Sequence, residues 1–139
     1  MSFKKIKDQP VSYWANSYHK SGCSPAGLWC ELDCAIYTDS LGTMHDLEDE
    51  SNFEMKKKLF FDVITLMLID GRMRLAKKGQ FLQGTIEEQV QLWRSSFPLS
   101  EQSQDEIGGI GTWFFMDDCP AGIVLVYQLE DGTEHLEWT

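Results

Sequence analysis

Apolar residues keep a helical spacing through about residue 97 and take on a strand-like pattern after about residue 111. Val11, Trp14, Ala15 and Tyr18 share one face of a helix predicted over 10–22, with Asp8 or Gln9 as its cap and Pro10 in its first turn. Gly22 stops it. Ser24-Pro25 repeats the start signal, and Leu28, Trp29, Leu32 and Ile36 extend a second helix over 25–37. Residues 41–50 read as an acidic loop. Ser51 and Glu54 then have capping-box spacing at the head of a third helix, 51–70. Its apolar residues leave only a narrow polar stripe at Glu54, Lys58, Asp62 and Thr65, so this helix belongs in the middle of the molecule.

Beyond Gly71, residues 72–76 and 80–83 flank Lys77-Lys78-Gly79 as a small hairpin. Thr85 and Glu88 cap a fourth helix over 85–97, closed by Pro98, and residues 100–107 add a short helical turn. Strands follow at 112–117, 122–129 and 133–138, rich in β-branched and aromatic residues, with Asp131-Gly132 as a tight-turn signal. The expected fold is α+β: a helical N-terminal two-thirds packed on a C-terminal three-stranded antiparallel meander, with a small extra hairpin. Five tryptophans spread from Trp14 to Trp138 make 1–139 one domain.

Charge narrows the function. The formal net charge is −10, with 22 acidic against 12 basic residues. Such a surface is unsuited to nucleic acid or to an anionic membrane, both of which require clustered cations. It suits a basic protein partner. No Lys or Arg follows Arg94, whereas Glu101, Asp105, Glu106, Asp117, Asp118, Glu130 and Asp131 all do. A second cluster is Asp46, Glu48, Asp49 and Glu50. These eleven carboxylates are the candidate partner-binding residues. The basic N-terminus has no apolar stretch behind it and the longest apolar run is short, which points to a cytoplasmic protein with reduced thiols.

Candidate chemistry is sparse. Cys23, Cys30 and Cys34 do not form the paired knuckles of a structural zinc site, so they read as buried or half-buried free thiols. Cys119 follows two carboxylates, which raise a thiol pKa where catalysis needs it lowered. Asp117 and Asp118 could form an acidic catalytic site with Cys119, but as neighbours at a strand end they diverge. His19, His45 and His135 are read as surface or interface residues. Arg72, Arg74, Lys77 and Lys78 could make the wing of a DNA-binding regulator, although the preceding helix is too apolar to read bases. No cofactor or metal is expected.

The stretches LFFDVITLMLIDGRMRLAKKGQFLQGTIEEQVQLWRSSFP, WFFMDDCPAG and LEWT resemble, from about residue 57 onward, a small bacterial family of unknown function. That family resembles immunity proteins of contact-dependent growth inhibition and other polymorphic toxin systems. The resemblance implies a protein that binds and neutralises the C-terminal domain of a cognate toxin. Such a toxin is expected to be a basic nuclease. No functional residues carry over from the family, and the part up to about Glu50 lies outside the resemblance. Trp113, Tyr127 and Trp138 are candidate aromatic anchors, with Trp113 the one best read as core.

Overall fold

The computed structural model describes residues 4–106, 108–116 and 119–139. Its axis is the helix with the narrow polar stripe, α3 below. Strand β1 (Ile6–Lys7) leads into helix α1 (Val11–Ser21), then α2 (Pro25–Glu31). A 3₁₀ turn, Leu32–Cys34, delivers the chain into β2 (Ala35–Thr38), followed by β3 (Met44–Asp46) and α3 (Phe53–Ile69). After it come β4 (Met73–Lys77), β5 (Gln80–Phe81), α4 (Ile86–Ser96), α5 (Glu101–Glu106), α6 (Ile110–Trp113), β6 (Gly122–Gln128) and β7 (Glu134–Trp138).

The strands form two sheets. In the first, β2 is central, parallel to β1 and antiparallel to β3. The second has the order β5-β4-β6-β7 and is antiparallel throughout. The α+β expectation stands, with helices concentrated in the N-terminal part and an antiparallel sheet at the C-terminal end. Its details need correction. The predicted hairpin is not an extra element, because β4 pairs with β6 from Met73↔Leu125 to Ala76↔Gly122, giving four strands.

The strand expected at 112–117 is absent over its described residues, and α6 begins just before them. Adjacent Trp113 and Phe114 are both buried, at 3% and 9% exposure. A strand would send neighbours to opposite faces; a helical turn can bury both. The positive φ of Gly108 and Gly109, both 96°, lets the chain reverse into that turn.

The second helix stops at Glu31 instead of running to 37. Ile36, Tyr37 and Thr38 pair with Asp46, His45 and Met44, so β3 lies within what reads as an acidic loop. Asp8 does not cap α1. Pro10 takes that position, while the Asp8 carboxylate accepts the backbone N–H and hydroxyl of Thr38. Nor does Ser51 open a capping box. Asp49 accepts the Ser51 backbone N–H at 3.0 Å and its hydroxyl at 2.9 Å. The Thr85/Glu88 capping box is present as expected. Lys78 and Gly79 both have positive φ, the two-residue turn geometry that matches strand twist.

Packing centres on α3. Phe60, Phe61, Val63, Ile64 and Met67 are fully buried. Phe60 contacts Trp29 of α2, Trp93 of α4 and Phe97 at centroid distances of 5.6, 5.6 and 5.8 Å. Such aromatic pairs each add about 0.5–1.5 kcal/mol beyond area burial. Tyr127 of β6 donates to the His19 carbonyl at 2.6 Å and stacks on its ring at 4.3 Å, tying α1 to the second sheet.

Lys56 is the one buried cation among the described residues, at 3% exposure. Its ammonium donates to Asp33 Oδ1 at 2.6 Å and lies 4.2 Å from the centroid of Trp29. Breaking a buried pair costs about 3–5 kcal/mol. The Asp33 side chain is 32% exposed, which reduces that figure. Asp33→Ala is therefore expected to cost roughly 2–3 kcal/mol in urea denaturation. Adding Lys56→Met should return part of the loss. A double variant no more stable than Asp33→Ala alone would remove the charge explanation.

Candidate interaction surface

The acidic loop is built around one lysine. Lys5 donates to Asp46 Oδ1 at 3.1 Å, to Glu48 Oε1 at 3.3 Å and to the Asp33 carbonyl at 2.8 Å. Asn52 donates to the Asp46 carbonyl, fixing the path into α3. Asp49, as described, is a cap. The Ser51 backbone N–H and then its hydroxyl hold the Asp49 carboxyl below its ordinary pKa. So Asp46, Glu48 and Asp49 are brought together but also have structural duties. Glu50 is exposed beside them.

Asp131 repeats the pattern in the β6–β7 turn, accepting the Thr133 hydroxyl at 2.6 Å and backbone N–H at 3.0 Å. These bonds, the hydroxyl first, lower its pKa. Glu130 is exposed next to it. Asp105 and Glu106 are exposed on α5. Glu101 begins that helix, but its side chain lies outside the description, as do Asp117 and Asp118 entirely. Among the described residues, no hydrogen bond or ion pair joins the acidic loop, α5 and the β6–β7 turn to one another. They are separate patches.

Several cations are engaged by oxygens of the fold, most of them at the surface. Arg72 reaches Asn16 and Asp70. Arg74 pairs with Glu134 at 2.8 Å, and Lys77 donates to the carbonyls of Met116 and Cys119. Lys58 pairs with Asp62 at 2.7 Å. The hairpin thus uses much of its charge within the fold. Among the described residues, no ion pair reaches Glu50, Asp105, Glu106 or Glu130.

The thiols are all free, but Cys23 and Cys30 are exposed, contrary to the buried reading. Cys119 is fully buried, and burial pushes its thiol pKa up. His19 is not a surface residue in function: its Nε2 lies 2.8 Å from the Val126 carbonyl. His45 faces Asp39 at 2.9 Å, and His135 faces Glu137 at 2.8 Å. Of the three aromatic candidates, Trp113 is core and Tyr127 is half-buried against α1, whereas Trp138 is 51% exposed.

Two surface features escape sequence reading. Trp138 stacks on Phe81 at 5.4 Å, and Arg74 lies 5.5 Å above the Phe81 ring. Phe81 and Trp138 are 57 positions apart on the two edge strands of the second sheet, so only the folded sheet brings their rings together. Along α3 and α4 an open groove of about 1000 Å³ exposes Ile69 and Leu92 beside Glu87 and Glu88. Among the described residues, no helix is long and apolar enough to cross a membrane.

In overall shape the chain is similar to an uncharacterized protein conserved in bacteria, from Neisseria meningitidis. The TM-score is 0.66 at 24% identity, covering 90% of this chain and 84% of that one. At that identity the likeness establishes the fold. No curated protein matches the chain. Neither the fold neighbour nor the family description mentions immunity or toxins. The family model of the protein of unknown function DUF596 matches residues 68–139, including the hairpin, α4 and the strands β6 and β7. With more than half its length matched, this chain belongs to the DUF596 family.

Proposed function

We propose that this protein is a binding module that captures a basic macromolecular partner through its acidic surface, acting as an immunity protein against a cognate toxin domain. The observation carrying this reading is the excess of carboxylates over cations, with several carboxylates left exposed. Lys5, Lys56, Lys58, Arg72, Arg74 and Lys77 each have an oxygen partner within the fold, while Glu50, Asp105, Glu106 and Glu130 face solvent with no ion pair among the described residues. The net charge of −10 is an excess that no internal pairing can cancel, and it gives the surface a negative potential. A nuclease site is basic because its substrate is a polyanion, and exposed carboxylates can occupy it. Complementary potential speeds encounter and fixes orientation more than it adds affinity. Capping bonds hold Asp49 and Asp131 in place, so the Glu50 and Glu130 carboxylates project from ordered turns.

Co-expression with the toxin domain encoded beside this gene should protect cells and yield a one-to-one complex. Absence of both complex and protection defeats the reading. In that complex, Glu50→Lys and Glu130→Lys should slow association about tenfold at low salt, with the difference fading as salt rises. Each variant should leave stability within about 0.5 kcal/mol, because neither side chain has a hydrogen-bond or ion-pair partner among the described residues.

The catalytic alternative around Cys119 makes the opposite demand, a reactive thiolate. Burial raises the Cys119 pKa, so the thiolate fraction at neutral pH falls. On brief alkylation of the native protein, exposed Cys23 is expected to be labelled first and Cys119 spared until denaturant is added. Labelling of Cys119 first would revive the alternative.

A further inference from the structure

Strand β7 ends the second sheet, and no backbone hydrogen bond among the described residues reaches its outer edge. The flanking bonds define which backbone groups are open. Leu129 N–H donates to Thr133, and Thr139 N–H donates to Ile123. With the register Leu125↔Glu137 and Tyr127↔His135, alternation turns the backbone of His135 and Glu137 toward β6. The N–H and C=O groups of Glu134, Leu136 and Trp138 therefore point away from the sheet. An edge of this kind templates strand addition unless Pro, a bulge or unanswered charge blunts it. The charges of β7 are Glu134, which pairs with Arg74, and Glu137, which lies beside His135. Of Pro, Lys and bulges β7 has none.

We propose that β7 pairs antiparallel with β7 of a second copy, with the two-fold axis at Leu136. In that register Leu136 and its symmetry mate exchange both backbone bonds, and Glu134 does the same with Trp138 of the second copy. All three outward-facing residues are satisfied in each chain. His135 comes opposite Glu137 of the second copy as a non-hydrogen-bonded pair, the closer of the two antiparallel spacings at a Cα separation of about 4.5 Å. The arrangement is self-complementary: the histidine–carboxylate contact occurs twice, once on each side of the axis.

The side chains agree with the backbone on both faces. Val126 is 2% exposed and pairs with Leu136, so an apolar row would run from one sheet into the next across the axis. On the other face His135 lies 6.5 Å from Tyr127, and its Nε2 already approaches its own Glu137 at 2.8 Å. Its second ring nitrogen is left for the second copy. Sliding the pair by two residues one way sets His135 against His135; sliding it the other way sets Glu137 against Glu137. The first loses both histidine–carboxylate contacts and the second sets two carboxylates directly opposite, which destabilises a strand pair, so the side chains select the centred register.

Five residues make a small interface, below the area of a stable complex, so the dimer is weak, with a Kd on the order of tens of micromolar. The pairing is independent of the acidic-surface reading and stands or falls separately. Sedimentation of the full chain from about 1 µM to about 1 mM should give a reversible monomer–dimer equilibrium. His135→Glu should weaken it at least tenfold. Leu136→Pro should abolish it while leaving the fold intact by circular dichroism, because the lost N–H points outward and Pro is tolerated there. If Leu136→Pro fails to fold, His135→Glu decides alone. A chain that stays monomeric throughout, or a dimer indifferent to the folded variants, overturns the proposal.

Discussion

Everything in this fold is arranged around a helix with almost no side to give to water. α3 buries nine of its residues, from Phe53 to Leu68, so it has to be enclosed by other elements. The enclosing groups are largely aromatic. Trp29 arrives from α2, Trp93 from α4, Phe97 just after it, and Trp113 and Phe114 at the end of α6. Rings suit this role because each buries a large area with few rotatable bonds and meets its neighbours edge to face. The demand also explains α6. The chain turns helical there so that two consecutive rings can reach the same core, overriding a local composition that favours a strand.

The same helix organises the charges. Lys56 is on α3 yet points inward, where Asp33 and the Trp29 face compensate it. The Asp33 carbonyl then accepts from Lys5, which also holds Asp46 and Glu48. A line of contacts thus runs from the first sheet into the core. Its consequence is at the surface: Lys5 engages Asp46 and Glu48, caps set the loop backbone, and Glu50 is left exposed. The protein can therefore present an ordered anionic loop at its surface.

Much of this was legible in the sequence wherever a pattern was long or the chemistry local. The burial of α3, the Thr85/Glu88 box, the turn at Lys78-Gly79 and the strands β6 and β7 follow from periodicity or from a specific turn residue. The first sheet was not legible. Its strands are only two to four residues long, and β2 continues an apolar spacing that looks helical through Ile36. The candidate acids were legible as residues but not as roles. Asp49 and Asp131 turn out to be caps, and Asp46 and Glu48 are partners of Lys5, a lysine 41 and 43 positions away. Composition counts carboxylates; only the fold says which are already engaged.

That distinction separates the two surfaces that remain. Net charge gives a long-range attraction that any basic partner feels, and salt screens it within a Debye length of about 8 Å. It supplies encounter, not register. Register requires directional groups, and the described surface carries them along β7, where outward backbone N–H and C=O groups alternate with His135 and Glu137. Glu134, the other carboxylate of that strand, is held by Arg74, which itself lies over Phe81 against Trp138. The edge is therefore less repulsive than its two glutamates suggest. One of them is neutralised within the chain, and the other stands beside a histidine. An acidic protein can in this way keep most of its surface repellent to its own copies while leaving one strand whose charges answer each other.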